Sequence, residues 1–397
     1  MAVPSLRFEG FRDDWQLWLL GDLCNHVSYG LTVRPEYVEQ GIPLISAREV
    51  VNGEVAIDKA PLISHSDFDK LSSKAKPQQG DVFLTKTGTI GLSALFKSDI
   101  IIAITQNIAV IRFDKPDEFM PEFFIQYLKT QQFLRKAISK VNQSTIMDLQ
   151  LGDIKKLECH FPSLPEQRKI ADFLSAVDEK IRLLTEKKEK LETYKKGVMQ
   201  KLFPKQGQTN PELRFKRNDG TAFPDWEEKK VKEIFEIKAG GDISKENVSK
   251  VKSENYPYPI YANSEKAKGL YGWSDIYKID YDSITVTGRG SLGLANARFS
   301  AFYPIVRLLV LRPKLKNMDL RFFESVLNQL RIYNESTGVP QLTSPQYGTY
   351  KVRFPSHEEQ IRIADFLVAI DLKVRNLETK IDQKKDFKKG LLQQMFV

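Results

Sequence analysis

Phe161-Pro-Ser-Leu-Pro-Glu-Gln-Arg-Lys-Ile-Ala-Asp-Phe-Leu174 returns later in the chain as Phe354-Pro-Ser-His-Glu-Glu-Gln-Ile-Arg-Ile-Ala-Asp-Phe-Leu367. The same register carries Asp178 onto Asp371, Lys195-Lys196-Gly197 onto Lys388-Lys389-Gly390, and Phe203 onto Phe396. A match this long at constant offset is an internal repeat, and it sets the organisation of the whole chain. Beyond Pro165, apolar residues recur every three or four positions: Ile170, Leu174, Val177, Ile181, Leu184, then Leu191, Val198 and Leu202. The second copy gives Ile363, Leu367, Ile370, Val374, Leu377, Ile381, then Leu391 and Met395. Such a heptad stripe predicts two long helices of about 35–38 residues, or ~50–57 Å each. Pro165 sits where a first helical turn tolerates proline, and Pro204 follows where a stop is expected. One narrow stripe cannot be buried alone, so the two are expected to pack on each other as an antiparallel coiled coil with pseudo-two-fold symmetry. Lys188, Lys195, Lys384 and Lys388 interrupt the later half of each stripe. There the pairing is expected to loosen, or to meet a partner protein.

The segments before the helices repeat more sparsely. Pro4-Ser-Leu-Arg-Phe8 returns as Pro211-Glu-Leu-Arg-Phe215, each followed by a tryptophan, Trp15 or Trp226. In mid-domain, Thr85-Lys-Thr-Gly-Thr-Ile-Gly-Leu92 resembles Thr287-Gly-Arg-Gly-Ser-Leu-Gly-Leu294. A common scaffold therefore carries two different surfaces. The expected division is a first domain over 1–162, a first helix over 163–203, a linker over 204–210, a second domain over 211–355 and a second helix over 356–397. Short β-type runs (81–85, 100–104, 109–113, 283–287 and 306–311) and helical stretches near 121–138 and 320–333 make each domain α+β, with a curved or barrel-like sheet.

Composition narrows the function. The 397 residues are enough for two cores, and 41% are hydrophobic, so the chain is globular. No apolar run reaches membrane-spanning length and no signal peptide is visible, so no membrane partner is expected. Two cysteines and four scattered histidines exclude a disulfide scaffold, give no metal-ligand spacing and fit a cytoplasmic location. The net charge of +9 suggests a polyanionic partner. No P-loop, nucleophile triad, amino-methyltransferase motif or nuclease carboxylate cluster is present, so the chain reads as non-catalytic. Gly288-Arg-Gly-Ser-Leu-Gly293 matches the dinucleotide-binding glycine pattern, but Lys86 replaces the first glycine in the other copy and Pro304 soon ends any helix. It reads either as a turn whose amides approach a phosphate or as a plain structural turn.

Together the repeated helix starts, the Pro-x-Leu-Arg-Phe domain starts and the glycine turn resemble the specificity (S) subunit of Type I restriction-modification systems, over essentially the whole chain. Gly41-Ile-Pro-Leu-Ile-Ser46 also resembles a framework strand of that family's target recognition domains, and Tyr258-Pro-Ile-Tyr-Ala-Asn263 an alternative one. The resemblance implies two target recognition domains that bind double-stranded DNA at an asymmetric bipartite site, with half-sites about one helical turn (~34 Å) apart. It implies two modification subunits that use S-adenosylmethionine to methylate adenine N6, and two restriction subunits that use ATP and Mg for translocation and cleavage. No cofactor is expected on this chain. A related system with a fused methylase-nuclease, an enzyme with an attached recognition domain, and a protein-binding coiled-coil adaptor are the alternatives. By chemistry and position the candidate DNA-facing residues are Arg48, Lys86, Thr87, Gln143 and Ser144 in the first domain, and Asn263, Arg289, Ser291 and Gln341 in the second. Gln143 and Gln341 are expected to lie in corresponding loops.

Overall fold

The computed structural model describes residues 3–397 except 25, 52, 116, 142–146, 206 and 334–340. The chain divides into two compact units, Met1–Glu186 with Glu378–Val397, and Lys187–Leu377. The two long helices, Leu164–Leu202 and His357–Met395, each contribute to both units.

In the first unit, strand Gln16–Leu19 pairs antiparallel with Glu158–Phe161. A four-stranded sheet runs in the order His26–Tyr29, Ile108–Arg112, Val82–Thr85, Ser93–Leu95. A second runs Ala103–Ile104, Ile42–Ile45, Leu62–Ile63, Tyr37–Val38, with a parallel pair between the first two strands. The central strands are apolar on both faces because they separate two cores. Val82, Leu84, Ala109 and Ile111 enter the core shared with the long helices, whereas Phe83, Ile108 and Val110 enter another.

The second unit repeats the plan. Glu227–Lys230 pairs with Lys351–Phe354, and one four-stranded sheet runs Phe235–Ala239, Leu309–Pro313, Ser283–Val286, Ala295–Arg298. The other runs Val248–Ser249, Leu270–Ser274, Tyr258–Tyr261, Tyr303–Pro304, again with one parallel pair. The expected strand over 306–311 is shortened at its start. Val306 and Arg307 adopt left-handed backbone in a turn, which a run of branched apolar residues conceals.

The two helices pack antiparallel. In the first unit, Ile170, Ala171 and Leu174, near the start of the first helix, share a core with Leu391 and Met395 at the end of the second. In the second unit, Ile363, Ala364 and Leu367 share a core with Leu202 and Phe203. Ile370 and Leu377 are also buried, and Val177, Ile181, Leu184 and Val374 half-buried. The lysines behave differently from expectation, because two of them join the helices instead of loosening them. Lys388 bonds Asp178 in the first unit, at 2.6 Å to Oδ2, and Lys195 bonds Asp371 in the second. These are the repeated aspartates and lysines, and each pair lets a charged position sit in the seam because its partner arrives from the other helix.

The sparse motifs are one device used twice. Arg7 grips the fully packed Glu166 through Nε and Nη2 at 2.7 and 2.8 Å, and Arg214 grips Glu359 at 3.1 and 2.7 Å. Bidentate geometry makes this the strong form of an ion pair. The neighbouring glutamines tie each helix start to its domain. Gln167 donates to Pro162 O and accepts from Met120 N, while Gln360 donates to Pro355 O and accepts from Asp319 N. Phe8 meets Phe173 edge-on at 5.6 Å, and Phe215 meets Phe366 likewise at 5.8 Å. Finally, Phe396 packs on Trp15 and Phe123 inside the first unit, and Phe203 on Trp226 and Phe322 inside the second.

Candidate nucleic-acid interface

The mid-domain turns follow one backbone plan. Thr85 N bonds Leu92 O, Leu92 N bonds Thr85 Oγ1, and Gly91 N bonds Thr85 O. Thr287, Leu294 and Gly293 make the same three bonds. Gly88 and Gly290 have φ of 78° and 69°, and Gly91 and Gly293 have 94° and 86°, so glycine is required at both pairs. A Cβ on Gly91 would also lie 2.2 Å from Leu134, and one on Gly293 2.4 Å from Ile332. No helix continues from Gly293; strand Ala295–Arg298 does, so the glycine pattern is a strand-to-strand turn.

A neighbouring segment completes each turn. Thr87 bridges Asp148 and Leu149 N bonds Lys86 O, just as Arg289 bridges Gln341 and Leu342 N bonds Gly288 O. The residue equivalent to Gln341 is therefore Asp148. Gln143 and Ser144 lie outside the described residues.

The same frame carries opposite chemistry in the two units. Lys86 is 7% exposed and its ammonium bonds Asp148 Oδ1 at 2.6 Å, while Thr87 Oγ1 donates to the same oxygen at 2.5 Å. Gln150 donates to the other carboxylate oxygen. Burial works against the Asp148 carboxylate, but these bonds and the Lys86 charge outweigh it and hold its pKa below the usual range. Lys86 is thus a neutralised, buried cation. In the second unit Gly288 replaces Lys86, and Arg289 is half-exposed with no ion pair or side-chain hydrogen bond among the described residues. Ser291 is exposed, and its carbonyl accepts from Thr287 Oγ1. Asn263 spends its carboxamide on the frame, accepting from Gly288 N at 2.7 Å and donating to Val306 O at 2.6 Å. Arg48 is exposed in the turn after Ile42–Ile45, where Glu49 accepts from Ser46 N and Oγ.

Three features lay outside the sequence reading. Arg307 is exposed and lines a cleft of about 290 Å³ with Gln341. Arg298 is buried, stacks 3.5 Å from the Tyr261 ring centroid, and donates to Thr285 Oγ1 and Lys268 O. Desolvation lowers its pKa from the ordinary arginine value. Lys250 lies over Tyr271 at 4.0 Å and Lys252 over Trp273 at 5.0 Å, on alternate residues of strand Leu270–Ser274. Such cation–π pairs present aromatic and positive groups together. The alternating Tyr271 and Trp273 were visible in the sequence; their lysine partners were not.

Reactive chemistry is scarce among the described residues. Both cysteines are buried, and burial pushes each thiol up to about 12. Among the described residues no group of three or more His, Cys, Asp or Glu could hold a metal, and no helix is long and apolar enough to cross a membrane.

A family model described as the Type I restriction modification DNA specificity domain matches residues 12–193 and 224–384. A Mycoplasma pneumoniae protein named as a type I specificity subunit is 26% identical over 353 residues, covering 86% of this chain and 85% of its own. A Methanocaldococcus jannaschii protein named as a type I restriction enzyme specificity subunit is 24% identical, covering 90% and 87%. The crystal structure of the type I restriction-modification S subunit from M. genitalium superposes with a TM-score of 0.65 at 19% identity, covering 100% and 99% of the two chains, and so shares the fold.

Proposed function

Because the chain belongs to the Type I restriction-modification DNA specificity family, we propose that it reads a double-stranded DNA target split into two unlike half-sites, one for each unit. The observation that carries this reading is the single turn frame with two chemistries: Lys86 and Asp148 neutralise each other, with Thr87 bonded to the same carboxylate, whereas Gly288, Arg289 and Gln341 leave a half-exposed cation with no ion pair among the described residues. One frame with two surfaces suits one fold reading two sequences. The chain supplies recognition, not catalysis.

Recognition falls to 1–162 and 211–355; the helices over 163–203 and 356–397 set the distance between the half-sites, and 204–210 links the halves. Arg48, Thr87, Arg289, Ser291 and Gln341 contact DNA, and Gln143 and Ser144, outside the described residues, are assigned the same role on their side-chain chemistry alone. Lys86 and Asn263 act by holding the turns. Phosphate contacts supply the salt-sensitive affinity and base edges the selectivity. Two modification subunits carry S-adenosylmethionine and methylate adenine N6, and two restriction subunits use ATP and Mg to translocate and cleave.

The test is co-expression of the chain with its modification subunits, followed by long-read mapping of methylated adenines. The expected result is one asymmetric motif in two blocks separated by unread bases. A contiguous motif, or a pattern identical with and without this chain, would sink the proposal.

A further inference from the structure

The turn Ile305–Leu308 closes through Leu308 N to Ile305 O at 3.1 Å, and its central residues Val306 and Arg307 have φ of 53° and 58°. Two successive left-handed residues define a turn that ordinarily takes glycine, asparagine or aspartate. A β-branched valine is among the residues least suited to it. The first unit has a turn at the equivalent place, Thr105–Ile108, closed by Ile108 N to Thr105 O at 3.2 Å. Its central residues are Gln106 and Asn107, and neither is left-handed. The sequence better suited to the strained form does not adopt it, and the less suited one does.

Surrounding bonds hold the strained turn. Val306 N bonds Gly241 O, Ile305 N bonds Tyr261 O, Gly240 N bonds Leu308 O, and Asn263 donates to Val306 O. Backbone strain that the surroundings over-determine points to a use for the side chain it directs. Arg307 is exposed, and its guanidinium has no hydrogen bond or ion pair among the described residues. It lines the cleft with Gly240, Gln341, Thr343 and Ser344. A Cβ on Gly288 would lie 3.3 Å from Arg307 O and 3.0 Å from Leu342 O, so this glycine lets three segments meet. Those segments bring Arg289, Arg307 and Gln341 into one neighbourhood. Their first-unit equivalents are Thr87, Asn107 and Asp148.

A phosphate is met adequately by a cation on any flexible stem. A guanine edge demands direction, because O6 and N7 must both face the fork of one arginine. We propose that Arg307 is a specificity-determining residue that reads a guanine in the half-site of the second unit, beside Arg289 and Gln341. This rests on the reading of the chain as a DNA specificity subunit.

The experiment uses the full chain in complex with its modification subunits, comparing wild type, Arg307→Ala and Arg307→Asn. Asparagine tolerates left-handed backbone, so the second variant keeps the turn while removing the guanidinium. Methylated adenines are mapped, and binding to the target duplex and its single-base variants is measured at several salt concentrations. Both variants should lose roughly 5- to 150-fold of discrimination at one guanine of one half-site, leaving the other half-site unchanged. A uniform loss across sequences with a shallower salt dependence makes Arg307 a phosphate contact and overturns the assignment. So does an unchanged motif. A wild-type complex that modifies no split motif overturns the underlying reading as well; a wild-type split motif that survives both variants overturns this inference alone.

Discussion

Replacing Arg214 with alanine tests whether the repeated Arg–Glu clamp holds each unit together. Arg214 meets Glu359 in bidentate fashion, and its Nη2 also donates to Pro224 O at 2.7 Å. The Glu359 side chain is 0% exposed and that of Arg214 19%, so truncation strands a carboxylate away from water. Leaving one member of a buried pair uncompensated costs about 3–5 kcal/mol. For a unit of about 150–250 residues, each kcal/mol moves the melting temperature by ~2–4 °C, so the second unit should melt ~6–20 °C lower. Calorimetry of the full chain, with hydrogen exchange to assign each transition, reads the effect. Arg7→Ala should do the same to the first unit. Adding Glu359→Gln to Arg214→Ala should recover part of the loss, because a neutral amide is cheaper to bury than a carboxylate. A drop below about 2 °C, less than one kcal/mol, or no recovery in the double variant, would refute the reasoning.

Phe396→Ala should cost ~3–5 kcal/mol and act on the first unit, where its ring meets Trp15 and Phe123; loss of exchange protection confined to the second unit would contradict the packing. Leu174→Lys or Leu367→Lys places a charge at a site 0% or 3% exposed and should destabilise by more than ~4 kcal/mol and prevent assembly with partner subunits; a normally assembled complex would exclude the helix-pair account. Lys388 has a pKa lowered from 10.5 to about 8 by burial, with nearby Lys129 adding to the effect and Asp178 opposing it. Between those values the unfolded chain binds a proton that the folded chain has released, so stability from this group rises with pH through the window. Lys388→Met should remove that rise, and urea unfolding that gives the same wild-type-to-variant difference from pH 7.5 to 10.5 would oppose it.

The helix pair was legible because burial imposes a period. Ile170, Leu174, Ile363 and Leu367 could be found by spacing, and all four are buried. The glycine turns were legible because positive φ restricts the residue. What spacing could not convey was pairing across distance. Lys86 reads as an exposed cation until Asp148, 62 positions away, is seen to neutralise it. Lys195 and Lys388 read as defects of the stripe until Asp371 and Asp178 meet them. Arg307 was hidden for another reason: Val306-Arg-Leu-Leu-Val-Leu311 has strand composition, and its left-handed start runs against local preference.

The helix ends that cap each core also impose an order on folding. The second unit is a continuous stretch, Lys187–Leu377, so all its parts are available together once that stretch has been synthesised. The first unit is interrupted, and its core needs Leu391, Met395 and Phe396, which follow Phe161 by more than half the chain. Closing so long a loop is entropically slow. The half made first should therefore finish last, its apolar helix face waiting for Leu391, Met395 and Phe396, while the half nested within it in the sequence is already complete. During that interval the unfinished first half is the species most open to aggregation and proteolysis.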